Sequence, residues 1–177
     1  MSARISVVQG DITGLDVDVI VNAANSALCG GGGVDGAIHR AAGPALVEAC
    51  QAVRRLSGHC PPGHAVVTEP GDLGVKAIIH AVGPVWSGGH NDEAGLLADA
   101  YHNSLQLVTA NGWQSVAFPA ISTGVYGYPK PAAAQIAIKT VIDYLAHHSL
   151  PQSVIFCCFD EETMHLYQHL LTNSNGE

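Results

Sequence analysis

Short apolar runs alternate along this chain with longer segments of helical periodicity. The apolar runs predict strands at Arg4–Val8, Val17–Asn22, Ala65–Thr68, Ala77–Val82, Ser115–Pro119 and Val154–Phe159. The segments between them predict helices over Val34–Ala42, Pro44–Leu56, Glu93–Asn111, Pro131–His147 and Glu161–Leu171, followed by a polar, frayed tail at Thr172–Glu177. Strands that alternate with helices in this way predict an α/β fold with a largely parallel sheet covered on both faces.

Two glycine-rich loops each follow a predicted strand and lead towards a predicted helix. The first, Asn22–Gly36, contains the run Gly30–Gly33, and the second is Ile121–Gly127. Glycine lets backbone N–H groups approach an anion without a side-chain clash, and a helix that starts after the loop adds the positive end of its dipole. Loops at the carboxyl ends of strands can converge on one ligand. The pair predicts a diphosphate ligand, and Asp35 inside the first loop indicates hydrolysis near the phosphates.

Composition narrows the choice of ligand. The chain has 177 residues, 47% of them hydrophobic and 12% charged, which predicts one compact domain over residues 1–177 with its core at 4–171. Its formal net charge is −8 with only seven Lys plus Arg, which argues against binding to nucleic acid or to an anionic membrane. An anionic ligand must therefore be held mainly by backbone N–H groups.

The cysteines and histidines predict neither a disulfide framework nor a metal site. The five cysteines form no CxxC pair, and the ten histidines show no HExxH or Cys/His cluster. The start of the chain lacks a basic region followed by a long apolar one, and no apolar stretch reaches the roughly 18 residues of a membrane span. We therefore expect a cytoplasmic protein in the reduced state, with no membrane span, metal or redox cofactor.

Other phosphate-loop and hydrolase motifs match poorly. Gly31-x-Gly33-x-x-Gly36 agrees formally with GxGxxG, but residues 23–29 separate it from the preceding strand and no acidic strand end follows at the expected distance. The chain contains no GxxxxGK[ST] and no GxSxG motif. A nicotinamide-binding domain, a P-loop NTPase and a serine hydrolase are therefore disfavoured.

The motifs taken together resemble the macro domain family, and within it the MacroD-like branch. The segments that carry this resemblance are Gly10–Thr13, Val21–Asn25, Gly30–His39, Ala81–Trp86 and Phe118–Gly127. It extends from Arg4 to Leu171. It implies a three-layer α/β/α fold with a mixed, largely parallel sheet of about six strands, and a cleft above the sheet that binds ADP-ribose.

The resemblance implies an adenine site at one end of that cleft. The Asp11 carboxylate would accept the exocyclic amine, the Ile12 N–H would meet a ring nitrogen, and Phe159 would stack on the ring. Other roles stay open, because a short acidic residue after a strand often caps a turn and a phenylalanine at a strand end often belongs to the core.

At the other end of the cleft, the resemblance implies contacts to the diphosphate and to the distal ribose. Asn25 would hold the ribose hydroxyls, although asparagine is also common where a loop is left-handed. Tyr126 would pack on the ribose and hold the water or acyl group, or would only anchor its loop. The two loops would contribute Gly31, Gly32, Gly33 and Val34 on one side and Ser122, Thr123, Gly124, Val125 and Tyr126 on the other. A tight turn explains one such glycine but not four.

The family assigns catalysis to the aspartate that aligns with Asp35, and we expect Asn25 and Tyr126 to assist it. A carboxylate beside the distal ribose can orient and deprotonate water, which is typically worth about 10²–10⁴ in rate. An acidic residue in a first helical turn is also favourable by itself, by about 0.3–1 kcal/mol. Because the same dipole lowers basicity, water positioning is favoured over full proton abstraction. His39, one turn later, supports the carboxylate or merely packs, while His80 and Trp113 are predicted to be structural.

The resemblance implies that O-acetyl-ADP-ribose is hydrolysed to ADP-ribose and acetate, and that ADP-ribose esters on proteins are further substrates. Two alternatives remain at this point. One is a module that binds ADP-ribose without turnover, which would not need Asn25 together with Asp35. The other is a regulator of ribonuclease III, a partner that relatives suggest and that no residue of this sequence reports.

Overall fold

A computed structural model describes residues 2–175 of the chain. Six strands form one sheet: β1 Ile5–Gln9, β2 Val19–Ala23, β3 Ala65–Thr68, β4 Ala77–Ala81, β5 Ser115–Phe118 and β6 Ser153–Cys158. The helices are α1 Gly33–Ala42, α2 Pro44–Ser57, α3 Glu93–Ala110, α4 Lys130–Leu145 and α5 Glu161–Asn175. Short 3₁₀ turns lie at Ser2–Arg4 and Ile12–Gly14.

The sheet is mixed, with the order β1-β6-β5-β2-β4-β3. The first five strands in this order, β1, β6, β5, β2 and β4, pair in parallel. The last strand, β3, pairs antiparallel with β4 at the edge of the sheet. This is the largely parallel sheet that the alternation of strands and helices predicts. The antiparallel edge follows from the short connection between β3 and β4, because a parallel crossover needs a dozen or more residues.

Helices cover both faces of the sheet and make three layers. Residues of α3, α4 and α5 pack on one face in the larger apolar cluster, whereas α1 and α2 pack on the other. Successive strand residues point to opposite faces, so in β2 Val19 and Val21 join the first cluster while Ile20 joins the second. By the same alternation, Asn22 lies on the face covered by α1 and α2.

The predicted elements are all present, and their ends coincide or differ by at most two residues except in the last helix. The predicted frayed tail is wrong for residues 172–175, where α5 continues to Asn175. Side-chain bonds one turn apart support that last turn: Ser174 Oγ donates to the Leu170 carbonyl at 3.0 Å, and Asn173 Nδ2 lies 3.1 Å from His169 Nε2. Gly176 and Glu177, also assigned to the tail, lie outside the described residues.

Four consecutive parallel strands bring the predicted site residues to one edge of the sheet. In the order β1, β6, β5 and β2, their carboxyl ends lead to Asp11, to Phe159, to the second glycine loop and to the first. The sheet thus arranges the predicted adenine, diphosphate and ribose contacts in a line. Across residues 2–175, no helix is both long and apolar enough to cross a membrane.

Candidate active site

In the first glycine loop, two glycines are required by the backbone conformation and two are not. Gly30 and Gly33 adopt positive φ angles of 83° and 60°, which glycine tolerates best. Gly31 and Gly32 have no such requirement, and a Cβ added to Gly32 would meet nothing within 4 Å. A tight turn therefore explains two of the four glycines. The other two leave the loop surface bare beside the first turn of α1.

The second glycine loop is pinned at both ends and open in the middle. The Tyr128 N–H donates to the Ser122 carbonyl at 2.9 Å, and the Trp86 N–H donates to the Tyr126 carbonyl at 2.9 Å. Ser122 holds a left-handed φ of 69°, is buried, and its Oγ has no hydrogen-bond partner among the described residues. The tip of the second glycine loop, Val125, is fully exposed.

Both loops present unused backbone donors. Within residues 2–175, the N–H groups of Gly31, Gly32, Gly33 and Val34 donate no hydrogen bond, and neither do those of Thr123, Gly124, Val125 and Tyr126. Such donors at loops beside a helix N-terminus form an anion-binding surface. Because β2 and β5 are adjacent and parallel, the two sets of donors lie at the same edge of the sheet.

Asp35 lies in the first turn of α1 and is 6% exposed. Its Oδ1 accepts a 2.8 Å hydrogen bond from Asn22 Nδ2 and lies 3.3 Å from His39 Nε2. Its Oδ2 faces the first loop, at 3.5 Å from the position that a Cβ on Gly31 would occupy. Asn25 Nδ2 lies 3.9 Å from that same position. Oδ1 is thus held by Asn22 and His39, whereas Oδ2 faces the backbone of Gly31 beside Asn25.

The Asp35 carboxyl has a raised pKa. Burial is the largest cause, and it outweighs the hydrogen bond from Asn22 and the charge of His39, which both lower the pKa. The expectation of a weaker base named only the helix dipole, whereas burial acts on the Asp35 pKa in the opposite direction. A raised pKa makes the carboxylate a better proton acceptor, as a general base requires.

A chain of buried polar side chains under Asp35 escaped the sequence analysis. Besides Asp35, the Asn22 amide nitrogen contacts His80 Nδ1 at 3.1 Å, and His80 Nε2 lies 2.8 Å from Thr68 Oγ1. Asn22 and His80 are 0% and 1% exposed. His80 was predicted to be structural, yet it connects to Asp35 through Asn22. The available signal was a single polar residue inside each of two apolar strands.

Asn25 holds its own loop together. Its Nδ2 donates to the Gly30 carbonyl at 3.0 Å and its Oδ1 accepts from the Cys29 N–H at 3.3 Å. Asn25 does not adopt the left-handed backbone that the alternative interpretation required. The side chain thus fixes the conformation of the loop beside Asp35, and its ribose contact stays a prediction.

The adenine candidates occupy the far end of the same edge. Asp11 Oδ1 accepts from the Thr13 N–H at 2.9 Å and from Thr13 Oγ1 at 2.7 Å, so Asp11 does cap a turn, and the Thr13 hydroxyl bond is the main cause of its lowered pKa. Ile12 is buried. Phe159 is 89% exposed, which excludes the core alternative.

The remaining candidates differ in their surroundings. Tyr126 is half-buried, and its carbonyl ties the second loop to Trp86. His39 lies beside Asp35, whereas Trp113 packs against the larger core cluster as expected. Among the described residues, no group of three or more His, Cys, Asp or Glu side chains is placed to hold a metal ion. A cavity of about 200 Å³ between α2 and β3 lies apart from these residues, with Val53, Pro61 and His64 in its wall.

Comparisons with known proteins show the family of this chain. The macro domain family model matches residues 21–137. The chain belongs to the macro domain family. It is 70% identical to an O-acetyl-ADP-ribose deacetylase of Cronobacter sakazakii over 171 residues, which cover 97% of this chain and 95% of that protein. It is 65% identical to the O-acetyl-ADP-ribose deacetylase of Escherichia coli over 177 residues, which cover 100% of both.

Solved macro domains share the fold closely. A variant of the Oceanobacillus iheyensis macrodomain with ADPR has a TM-score of 0.93 and 44% identity, and the match covers 97% of this macro domain and 93% of that chain. A Trypanosoma brucei macrodomain in complex with ADP-ribose has a TM-score of 0.84 and 38% identity, with 94% and 68% covered. The resemblance and the fold predicted from the sequence are confirmed.

Proposed function

We propose that this macro domain hydrolyses O-acetyl-ADP-ribose to ADP-ribose and acetate. The observation that carries the proposal is the Asp35 carboxylate, which is buried, held through Oδ1, and presents Oδ2 towards Gly31 and Asn25. Relatives at 65–70% identity are named for this activity, which adds to the argument. A module that only binds ADP-ribose has no use for a carboxylate held in this way.

Binding of the ligand would use the backbone. The unused N–H groups of the two loops would hold the diphosphate, and the positive end of the α1 dipole would favour its charge. Asp11, Ile12 and the exposed ring of Phe159 would hold the adenine at the other end. Asn25 and Tyr126 would hold the distal ribose beside Asp35.

The chemical step would be the addition of water to the acetyl ester on the distal ribose. Asp35 would orient the water and accept its proton as the water oxygen bonds to the acetyl carbon. Loop N–H groups would stabilise the negative charge on the carbonyl oxygen. The bond from the acetyl carbon to the ribose oxygen would then break, and the ribose oxygen would take the proton back. The products would be acetate and ADP-ribose.

Two broader proposals rest on the resemblance, and two more rest on composition and the cysteines. The same site would cleave ADP-ribose from acidic side chains of proteins, because that linkage is also an ester at the distal ribose. An interaction with ribonuclease III stays a prediction for co-purification to test, and with a net charge of −8 we do not expect direct binding to nucleic acid. The five cysteines are all free thiols, which supports a reducing, cytoplasmic location.

The test compares Asp35→Ala with the wild type. We expect hydrolysis of O-acetyl-ADP-ribose to fall by about 10²–10⁴ because the general base is lost. ADP-ribose affinity, measured by calorimetry, is expected to remain, because the loop N–H groups are unchanged. Asp143→Ala on α4, which removes an exposed carboxylate paired with Lys139, is the matched control and should turn over like the wild type.

Two results would contradict the proposal. Unchanged turnover in Asp35→Ala would remove Asp35 from the chemistry. A wild-type protein that binds ADP-ribose but never releases acetate would be a binding module, and its function would then depend on protein partners.

A further inference from the structure

Three buried polar side chains form a row across the sheet directly beneath Asp35. Asn22 of β2 and His80 of β4 are register partners in neighbouring parallel strands, and Thr68 belongs to β3, the next strand. Side chains two residues apart share a face, so Asn22 lies with Ile20 and His80 with Ile78 on the side covered by α1 and α2. The row therefore begins under α1 and ends at the sheet edge. We call it the polar row.

The positions of the hydrogen atoms in the polar row follow from chemistry. An ionised carboxylate can only accept, so the group of Asn22 that faces Asp35 Oδ1 must be the amide NH₂. The second hydrogen of that NH₂ points to His80 Nδ1, which must then be the acceptor. The His80 proton therefore sits on Nε2, from which it is donated to Thr68 Oγ1. Every contact in the row has one donor and one acceptor.

Little else fixes the Asn22 amide. Its Oδ1 is buried and has no hydrogen-bond partner among the described residues. The orientation of the amide therefore depends on its two donor contacts, one to Asp35 and one to His80. If the His80 proton moved to Nδ1, two donors would face each other and the amide would lose its place.

We propose that His80 and Thr68 are positioning residues: through the Nε2–H tautomer of His80 they hold the Asn22 amide on Asp35 Oδ1 and so leave Oδ2 turned to the substrate. Thr68 supplies the acceptor that favours this tautomer. The proposal deepens the proposed function and rests on Asp35 being its general base. It assigns a role to two side chains that never touch the substrate.

The titratable groups around Asp35 make the consequence measurable. On its own helix it faces His39, while Cys50 of α2 and His80 of β4 lie on the inner side. Burial raises the pKa of Cys50 to about 11 and lowers that of His80 to about 3, so both stay neutral around pH 7. Because the Asn22 bond lowers the pKa of Asp35, loss of that bond raises it.

The decisive variant is Thr68→Val, which keeps the shape and removes the hydroxyl acceptor. The acid limb of the pH profile of kcat should move up by about one pH unit, since a hydrogen bond to a charged group is worth at least that much. At pH values below the new limb, kcat falls because Asp35 is protonated. The affinity for ADP-ribose should stay within about twofold of the wild type, a change near the limit of measurement.

Two further variants separate positioning from simple destabilisation. Thr68→Ser restores the hydroxyl and should restore the wild-type acid limb. Thr109→Val removes another part-buried threonine hydroxyl, one bonded to Tyr144 and Leu150 beyond α3, and should leave the acid limb in place. Loss of stability alone would lower the amount of active protein without moving the limb.

A measurement without turnover distinguishes failure of this proposal from failure of the proposed function. The Asp35 carboxyl can be titrated by ¹³C NMR in the wild type and in Thr68→Val, and ¹⁵N spectra of His80 report its tautomer. The proposal expects the Nε2–H tautomer in the wild type and a higher Asp35 pKa in the variant. An unchanged Asp35 pKa, or an equal shift in Thr109→Val or Thr68→Ser, would overturn it. Absence of hydrolysis with the expected titration shift would overturn only the proposed function.

Discussion

At the scale of single residues, the glycines of the first loop have different physical causes. Gly30 and Gly33 are required by positive φ, whereas Gly31 is not and lies where Asp35 Oδ2 and Asn25 Nδ2 converge. A methyl group at Gly31 would meet those two atoms at 3.5 and 3.9 Å, which is ordinary contact. The backbone therefore permits alanine at this position. What the glycine provides is open space in front of Asp35, where we propose that the ligand binds.

Gly31→Ala is accordingly expected to fold like the wild type and to bind ligand poorly. The methyl group would occupy the space in front of Asp35, and we expect at least about a tenfold loss of ADP-ribose affinity, or about 1.4 kcal/mol. Calorimetry and thermal melting measure the two effects. Gly74→Ala is the matched control, since Gly74 also lacks a positive φ and has open space around it. Equal binding by Gly31→Ala would move the ligand away from this loop.

At the scale of elements, helix α3 positions the second glycine loop although it contributes no residue to it. The buried Tyr101 hydroxyl donates to the Pro119 carbonyl and accepts from the Ile121 N–H, both at 3.3 Å. The first residue of α3, Glu93, is 1% exposed and holds the segment before the helix. Its carboxylate accepts hydrogen bonds from the N–H groups of Ser87, Gly89 and Asn91 at 2.7–2.9 Å. Burial raises the pKa of Glu93, but these bonds lower it more, to about 2, so the carboxylate stays ionised.

Tyr101→Phe tests the role of this helix. Loss of the hydroxyl leaves a buried N–H and a buried carbonyl unpaired at the entrance of the loop, which costs about 1–3 kcal/mol of unfolding free energy. We also expect ADP-ribose to bind about three- to tenfold more weakly, up to about 1.4 kcal/mol, because the loop donors lose their fixed position. Denaturant unfolding and calorimetry measure the two quantities.

Tyr144→Phe supplies the comparison, because Tyr144 is also buried and its hydroxyl bonds to Thr109 and Leu105, away from the loops. It should lose stability without losing affinity. If both variants lost affinity to the same degree, general loosening rather than the loop contact would be the cause.

At the scale of the whole molecule, an acidic protein is proposed to bind an anion. The net charge is −8, and Lys130 is engaged with Asp160 and Glu162 at 3.9 and 3.6 Å. The N–H groups of the two glycine loops and the N-terminus of α1 carry only partial charges, which act at short range. Long-range attraction therefore contributes little to the proposed complex.

The affinity for ADP-ribose should therefore depend weakly on salt. Between 50 and 500 mM NaCl, where the screening length falls to a few ångströms, we expect the Kd to change by less than about twofold. Calorimetry at both concentrations measures this. Inorganic pyrophosphate titrated under the same conditions is the control for the bare anion. A tenfold weakening at high salt would show that lysine or arginine side chains hold the diphosphate, with Arg40 on α1 the first to replace.

The expectations that the structure bears out are those carried by local patterns. Apolar runs and helical periodicity predicted every strand and helix, with errors mainly at their ends, where capping decides. Polar residues at 172–175 were assigned to a frayed tail because composition does not show the side-chain bonds made one turn back. The glycine loops and Asp35 were visible because glycine runs and a lone carboxylate stand out locally. The roles of the site residues stay predictions.

The sequence by itself determined the α/β alternation, the two loops, the acidic balance and, through five matching segments, the family. Only the tertiary structure decided that β2 lies between β5 and β4, that Asn22 is paired with His80, and that Asp35 is buried deeply enough for its pKa to rise rather than fall. Side-chain periodicity reports which face a residue occupies within its own element. Strand order, register and burial arise from contacts between residues far apart in the chain, which no local pattern records.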